Sequence, residues 1–236
     1  MGLITEYLNS KDLGLIFNGK RSLNHYMKEE NGFVSSNDAI VFVDNHDNQR
    51  NFINGFTEIL NYKEKRRYIL ANSFMLANPY GLPKIMSSFA FKDPYDGPPD
   101  DGSKISSPSF NEEGQCENGW ICEHRWPAII AMVKFRNVVV NSPLQNYADN
   151  GQNQIAFCRG ELGFIAINNE LSLNMKSSLK ACLPPGIYCD IMTGGKGDGK
   201  CVGEEIVVDG DGKVDIFIPW SSEIPIIAIH VEARKD

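Results

Sequence analysis

Three consecutive side chains, Asn45, His46 and Asp47, bring an amide, an imidazole and a carboxylate together at the end of an apolar run. On adjacent residues these groups can both accept and donate hydrogen bonds to a bound polar ligand. The preceding run, Ala39-Ile40-Val41-Phe42-Val43, consists of strand formers with no polar alternation. That pattern predicts a strand buried on both faces, as in an α/β sheet. Chemistry in such sheets and barrels gathers at the C-terminal ends of the strands, where these three residues stand. A plainer reading stands beside it: a polar loop after a core strand, with Asp47 or Asn48 capping the next segment.

The elements that must position these residues follow from periodicity. Leu3 to Tyr7 is a short strand-like run, and Lys11 to Met27 predicts a weak helix interrupted at Asn18-Gly19. From Tyr62 the apolar residues recur at helical spacing around Tyr68, Ala71 and Met75, and Asn78-Pro79-Tyr80-Gly81 stops the helix. A strand is expected at Lys84 to Phe89, followed by a long Pro-, Gly-, Ser- and Asp-rich loop from Lys92 to Gly114. Trp126 and Pro127 open a last helix, with the proline placed as at a first helical position. Near Pro143 the period changes. Short runs at Gln154–Arg159, Gly163–Asn168, Ser172–Leu179, Gly186–Met192, Glu205–Val208, Lys213–Pro219 and Ile226–Glu232 then alternate with turn residues, as in an antiparallel sandwich. The expected organisation is two domains, α/β over 1–142 and all-β over 143–236, the second expected to fold without the first.

Composition excludes several classes of partner. The 236 residues are 42% hydrophobic and 22% charged, an ordinary globular balance. The net charge of −7 argues against nucleic acid and against an anionic membrane surface. No apolar run approaches the ~20 residues of a membrane-spanning helix. Met1 to Tyr7 has neither a basic nor an apolar leader region, so no signal peptide is expected in this chain. The six cysteines form no C-x-x-C pair and lie near no histidine at zinc spacing, which argues against a metal role.

Other motifs yield to structural readings. Gly194 to Cys201 imitates a phosphate-binding loop, but Cys201 stands where Ser or Thr is required and no helix follows, so a hairpin tip is expected. Asp209-Gly210-Asp211-Gly212 lacks the further acids of a calcium loop and reads as a turn. His230, in an apolar strand, is expected to be a hydrogen-bonded core histidine. His124 is placed to orient the start of the last helix. His25 stands apart from both. Trp120, Trp126 and Trp220 are expected to anchor core or loops.

The nine residues Phe42-Val43-Asp44-Asn45-His46-Asp47-Asn48-Gln49-Arg50 resemble the last sequence block of the animal-type α-amylases. Similar stretches recur in order almost to the end of the chain. This resemblance implies the last three β/α units of a (β/α)8 TIM barrel, followed by an antiparallel Greek-key β-sandwich. Leu3 to Tyr7, Ala39 to Val43 and Lys84 to Phe89 would then be barrel strands six, seven and eight. Asp47 matches the acid that stabilises the transition state, and His46 the histidine that binds the same sugar. Asn45 corresponds to a ligand of the family's chloride ion. Lys84 stands at the place of an arginine ligand and offers a point charge instead of a fork. After Arg50 the family has a glycine-rich loop with a substrate-contacting histidine, where this chain has Asn51-Phe52-Ile53-Asn54-Gly55-Phe56.

The resemblance further implies disulfides Cys116–Cys122 and Cys189–Cys201, leaving Cys158 and Cys182 for each other, a departure from the mammalian pattern. Three bridges imply an oxidising compartment and secretion, and six reduced thiols in a cytosolic protein are the alternative. The family's nucleophilic Asp, acid/base Glu and calcium ligands lie on earlier strands and have no counterparts here. The expected function is that of the C-terminal portion of a secreted α-amylase. The complete enzyme would cleave internal α-1,4-glucosidic bonds of starch, glycogen and malto-oligosaccharides with retention, as a monomer using calcium and chloride. This chain alone is expected to be inactive, whether as a fragment, a truncated gene product or a degenerate derivative. The competing reading is a carbohydrate-binding or structural β-domain carrying a vestigial piece of barrel.

Overall fold

A computed structural model of the chain describes residues 2–28, 31–50 and 57–235. The segment Asn51 to Phe56, where the family's glycine-rich loop was sought, lies outside the described residues. The first part of the chain alternates short parallel strands with helices: β1 (Ile4–Thr5), α1 (Tyr7–Phe17), α2 (Leu23–Lys28), β2 (Ala39–Val41), α3 (Lys65–Ala77), β3 (Leu82–Pro83) and α4 (Pro127–Val138). The three strands form one parallel sheet with β2 in the middle, paired Ile4↔Ala39 on one side and Ile40↔Leu82 on the other.

Local chemistry accounts for these elements. The Glu6 carboxylate accepts from the Leu8 N–H at 3.0 Å and caps α1, which therefore begins at Tyr7 rather than at Lys11. Gly19, at φ +73°, separates α1 from α2, so the single interrupted helix of the sequence reading is two helices. Gly14 is required by packing, because a Cβ there would stand 1.9 Å from the Glu58 carbonyl oxygen. A capping box between Asn61 and Glu64 starts the turn that leads into α3. Beyond its first turn α3 is buried all round, from Tyr68 to Ala77. Pro127 opens α4 as expected.

The strand expected at Lys84 to Phe89 is displaced. Pairing with β2 occupies Leu82–Pro83, and only the Lys84 N–H, donating to the Val41 carbonyl at 2.8 Å, continues the ladder. Phe89 instead bridges to Trp120, stacking edge-on with ring centroids 6.1 Å apart.

The second part is two antiparallel four-stranded sheets and a small hairpin. β4 (Leu144–Asp149), β5 (Gln154–Arg159), β6 (Gly163–Asn168) and β13 (Ile226–His230) form one sheet in the order β13-β6-β5-β4. β7 (Met175–Lys180), β8 (Gly186–Cys189), β11 (Glu205–Val208) and β12 (Lys213–Ile218) form the other, in the order β7-β12-β11-β8. The glycine-rich tip is the hairpin of β9 (Lys196–Gly197) and β10 (Lys200–Cys201). Disulfides join Cys116 to Cys122, Cys158 to Cys182 and Cys189 to Cys201.

One apolar core lies between the two sheets, built from residues such as Phe164, Ile229, Ile206 and Ile216. A second core crosses the boundary at Pro143. Ile155, Phe157, Ile165 and Ile167, on the opposite face of the first sheet, pack with Phe74 of α3 and Phe135 of α4. β5 and β6 are consequently buried on both faces, which explains their unbroken apolar runs. The all-β segment thus shares a core with the helices. His230 is 1% exposed, but neither ring nitrogen finds a hydrogen-bond partner among the described residues. The expected hydrogen-bonded core histidine is a core histidine packed edge-on against Phe135 instead, and burial depresses its pKa to about 4.

Candidate functional site

The chain leaves the C-terminal end of β2 through the buried residues Phe42, Val43 and Asp44 and emerges at Asn45. His46 and Asp47 follow, with side chains 81% and 48% exposed, so both are open to a ligand. His46 Nε2 lies 3.5 Å from Asp47 Oδ1. An imidazole can donate and a carboxylate can accept, so the pair offers both kinds of hydrogen-bonding group to a polar ligand.

A relay of polar side chains fixes this turn. Asn45 Oδ1 accepts from the N–H groups of Asp47 and Asn48 at 3.0 and 2.9 Å, an Asx turn that sets the backbone of Asp47. The Asn45 N–H donates to Asn48 Oδ1 at 2.7 Å. The Asn48 amide donates to Ser10 Oγ at 2.9 Å, and Ser10 in turn donates to the Val43 carbonyl at 2.6 Å. Asn45 Nδ2 also donates to the Tyr7 hydroxyl at 2.9 Å. Helix α1 therefore holds the loop at Tyr7 and at Ser10. Neither residue was singled out in the sequence, where they lie 38 positions from their partners.

Behind the turn, the environment of Asp44 is opposite to that of Asp47. Asp44 is 2% exposed and accepts from the Tyr68 hydroxyl at 2.8 Å, and burial pushes its carboxyl well above the usual range. Glu123, fully buried beside Cys122, accepts from the Ser88 N–H at 2.6 Å and is also raised by burial. Arg50 completes the support. Its guanidinium lies 4.6 Å from the Phe89 ring centroid and 4.4 Å from that of Phe91, and it donates to the carbonyls of Pro94 and Asp96. The long loop is thereby tied to the end of the Asn45–Arg50 segment.

Lys84 stands just past β3, exposed, with its backbone level with Phe42 rather than Asn45. Asn45 keeps one amide N–H beyond its bond to Tyr7. Among the described residues no group of three or more His, Cys, Asp or Glu side chains lies together.

Comparison with known proteins bears on what this arrangement does. The family described as the α-amylase C-terminal all-β domain matches residues 145–232. Alpha-amylase-related proteins of Drosophila atripex and Drosophila willistoni are each 46% identical to the chain over 237 residues, which is 99% of the chain and 47% of either relative. Among solved structures, wild-type α-amylase I of Eisenia fetida superposes with a TM-score of 0.87 at 36% identity, covering 98% of the chain and 49% of its own. A mutant of that protein in complex with maltohexaose superposes with a TM-score of 0.86. The chain spans about half the length of the curated relatives it matches.

Proposed function

This is an α-amylase-family sequence, matching the C-terminal half of that family along nearly its whole length, and on that premise we propose that Asp47 and His46 form the sugar-contacting edge of a starch-cleaving site. The observation that carries the reading is the pair itself. A carboxylate and an imidazole stand solvent-facing at the C-terminal end of the central parallel strand, on a turn held by Asn45, Asn48 and Ser10. A pre-set carboxylate loses little in reorganisation as charge develops on the sugar ring, which favours the oxocarbenium-like transition state of glycoside cleavage.

In this reading β1, β2 and β3 are the last three strands of a (β/α)8 barrel, and the preceding strands come from further polypeptide like that of the longer relatives. The exposed edge supports it: Ile4 and Leu82 are about half exposed, at 49% and 47%, on strands with a parallel neighbour on one side only, and Leu3 just before β1 is exposed to the same degree. Parallel sheets are ordinarily covered on both faces, and closure into a barrel removes their edges. The nucleophile and acid/base belong to the same upstream segment, and the complete protein hydrolyses internal α-1,4-glucosidic bonds with retention, as a secreted monomer. Asn45 and Lys84 would hold a chloride ion, whose fixed negative charge raises the pKa of a neighbouring acid. Calcium is left to the upstream segment.

The test compares the chain alone with a version joined to the upstream segment of an amylase relative. The joined protein is expected to release reducing ends from starch and the chain alone none. Starch cleavage by the chain alone, or a joined protein that folds and binds starch without cutting it, would overturn the reading, the latter in favour of a binding module.

A further inference from the structure

A pocket of about 420 Å³ opens where the turn after α3 meets the turn between α4 and β4, on residues distinct from Asn45, His46, Asp47 and Lys84. Its polar lining is Ser36, Asn37, Arg136, Asn141, Ser142 and Arg159, with no carboxylate among the lining residues. Arg159 is 1% exposed on β5, and Arg136 is half-buried on α4. Among the described residues neither has a salt-bridge partner.

Backbone carbonyls satisfy part of this donor set. Arg136 donates to Leu76, Asn78 and Gly81, the last at 2.7 Å. Arg159 donates to Ser142 at 3.0 Å, to Val139 at 3.3 Å and to Ala77. Each guanidinium has five N–H donors, so these bonds leave two unused on each. The carbonyls of Leu76 and Ala77 end α3 and that of Val139 ends α4, and a helix C-terminus carries roughly half a negative charge. Two such termini offset about one of the two positive charges, leaving about one uncompensated. Burial, and then the neighbouring Arg136, hold Arg159 down to about 10, so the two cations act on each other.

We propose that this pocket is a binding site for a small oxyanion, of the sulfate, phosphate or carboxylate type, held between Arg136 and Arg159. The planar fork of arginine matches the paired oxygens of such anions, and Ser36, Asn37 and Asn141 line the rest of the pocket with neutral polar groups. The proposal does not depend on the starch-cleaving assignment, since its residues and readout are separate.

Isothermal titration of the folded chain with sodium sulfate, and separately with phosphate and acetate, is done at constant ionic strength set by sodium chloride. Saturable one-site binding is expected, weakened at least tenfold in Arg136→Gln. Because Arg136 also caps carbonyls, Asn141→Asp provides a second variant. It places a carboxylate in the pocket, keeps every cap, and is expected to abolish sulfate binding while the protein stays folded. If Arg136→Gln does not fold, the result with Asn141→Asp decides alone. Heats that never saturate, or binding unchanged in Asn141→Asp, would mean an adventitious ion only and would overturn the proposal.

Discussion

The amide of Asn48 donates to Ser10 Oγ at 2.9 Å, and this bond ties the turn bearing Asp47 to helix α1. Ser10 is fully buried and passes the contact on to the Val43 carbonyl. Truncating Ser10→Ala leaves a buried amide donor and a buried carbonyl without their partner. Denaturant unfolding is expected to show a loss of about 1–3 kcal/mol. In the joined protein, starch cleavage should fall more than folding stability alone accounts for, because Asn48, which braces the turn bearing Asp47, loses its anchor on α1.

Much of this arrangement was legible in the sequence, and the gaps have physical causes. The buried run before Asn45 marked β2 because a strand covered on both faces has no polar alternation. β4 was missed because it is an edge strand of half-exposed residues, broken by an irregularity between Gln145 and Ala148 with Asn146 at φ +48°. β3 was placed two residues late because its ladder covers only Leu82–Pro83, too short a run to show a period. The residues that brace the site, Tyr7, Ser10, Tyr68 and Glu123, carry no local signature. Their roles depend on contacts across long stretches of chain.

Two buried groups should oppose each other in the pH dependence of stability. Burial raises Asp190 from 3.8 to about 6 in the folded protein, so the folded state binds the extra proton between those values. Its contribution is present below about pH 4 and is lost as pH rises through 6, by roughly 3 kcal/mol. His230, lowered from 6.5 to about 4, contributes in the opposite sense, with stability present above 6.5 and lost as pH falls towards 4. Asp190→Asn removes the first effect only. Its stability relative to the unaltered protein is therefore expected to rise between pH 4 and 7, as measured by urea unfolding across that range. A constant difference would contradict the assignment.

The bridge between Cys158 and Cys182 closes a loop with a sequence separation of 24 and joins β5 to the end of β7. Replacing both cysteines by alanine is expected to cost about 3 kcal/mol by loop entropy. Thermal unfolding under oxidising conditions checks this, and in excess reductant the gap between the two proteins should close.

The half-exposed Ile4 on β1 predicts self-association of the chain by itself. Ile4→Lys should shift its sedimentation towards monomer. In the joined protein the same substitution should lower stability, because β1 then has a neighbour. Improved behaviour in both would argue against a covered edge.

Asp47→Asn in the joined protein tests the central claim most directly, with starch cleavage measured beside circular dichroism and the unfolding midpoint. Loss of a pre-set transition-state contact of this kind costs about 10²–10³-fold, so cleavage is expected to fall by at least that much while the fold and midpoint stay unchanged. Cleavage at the unaltered rate would contradict the account.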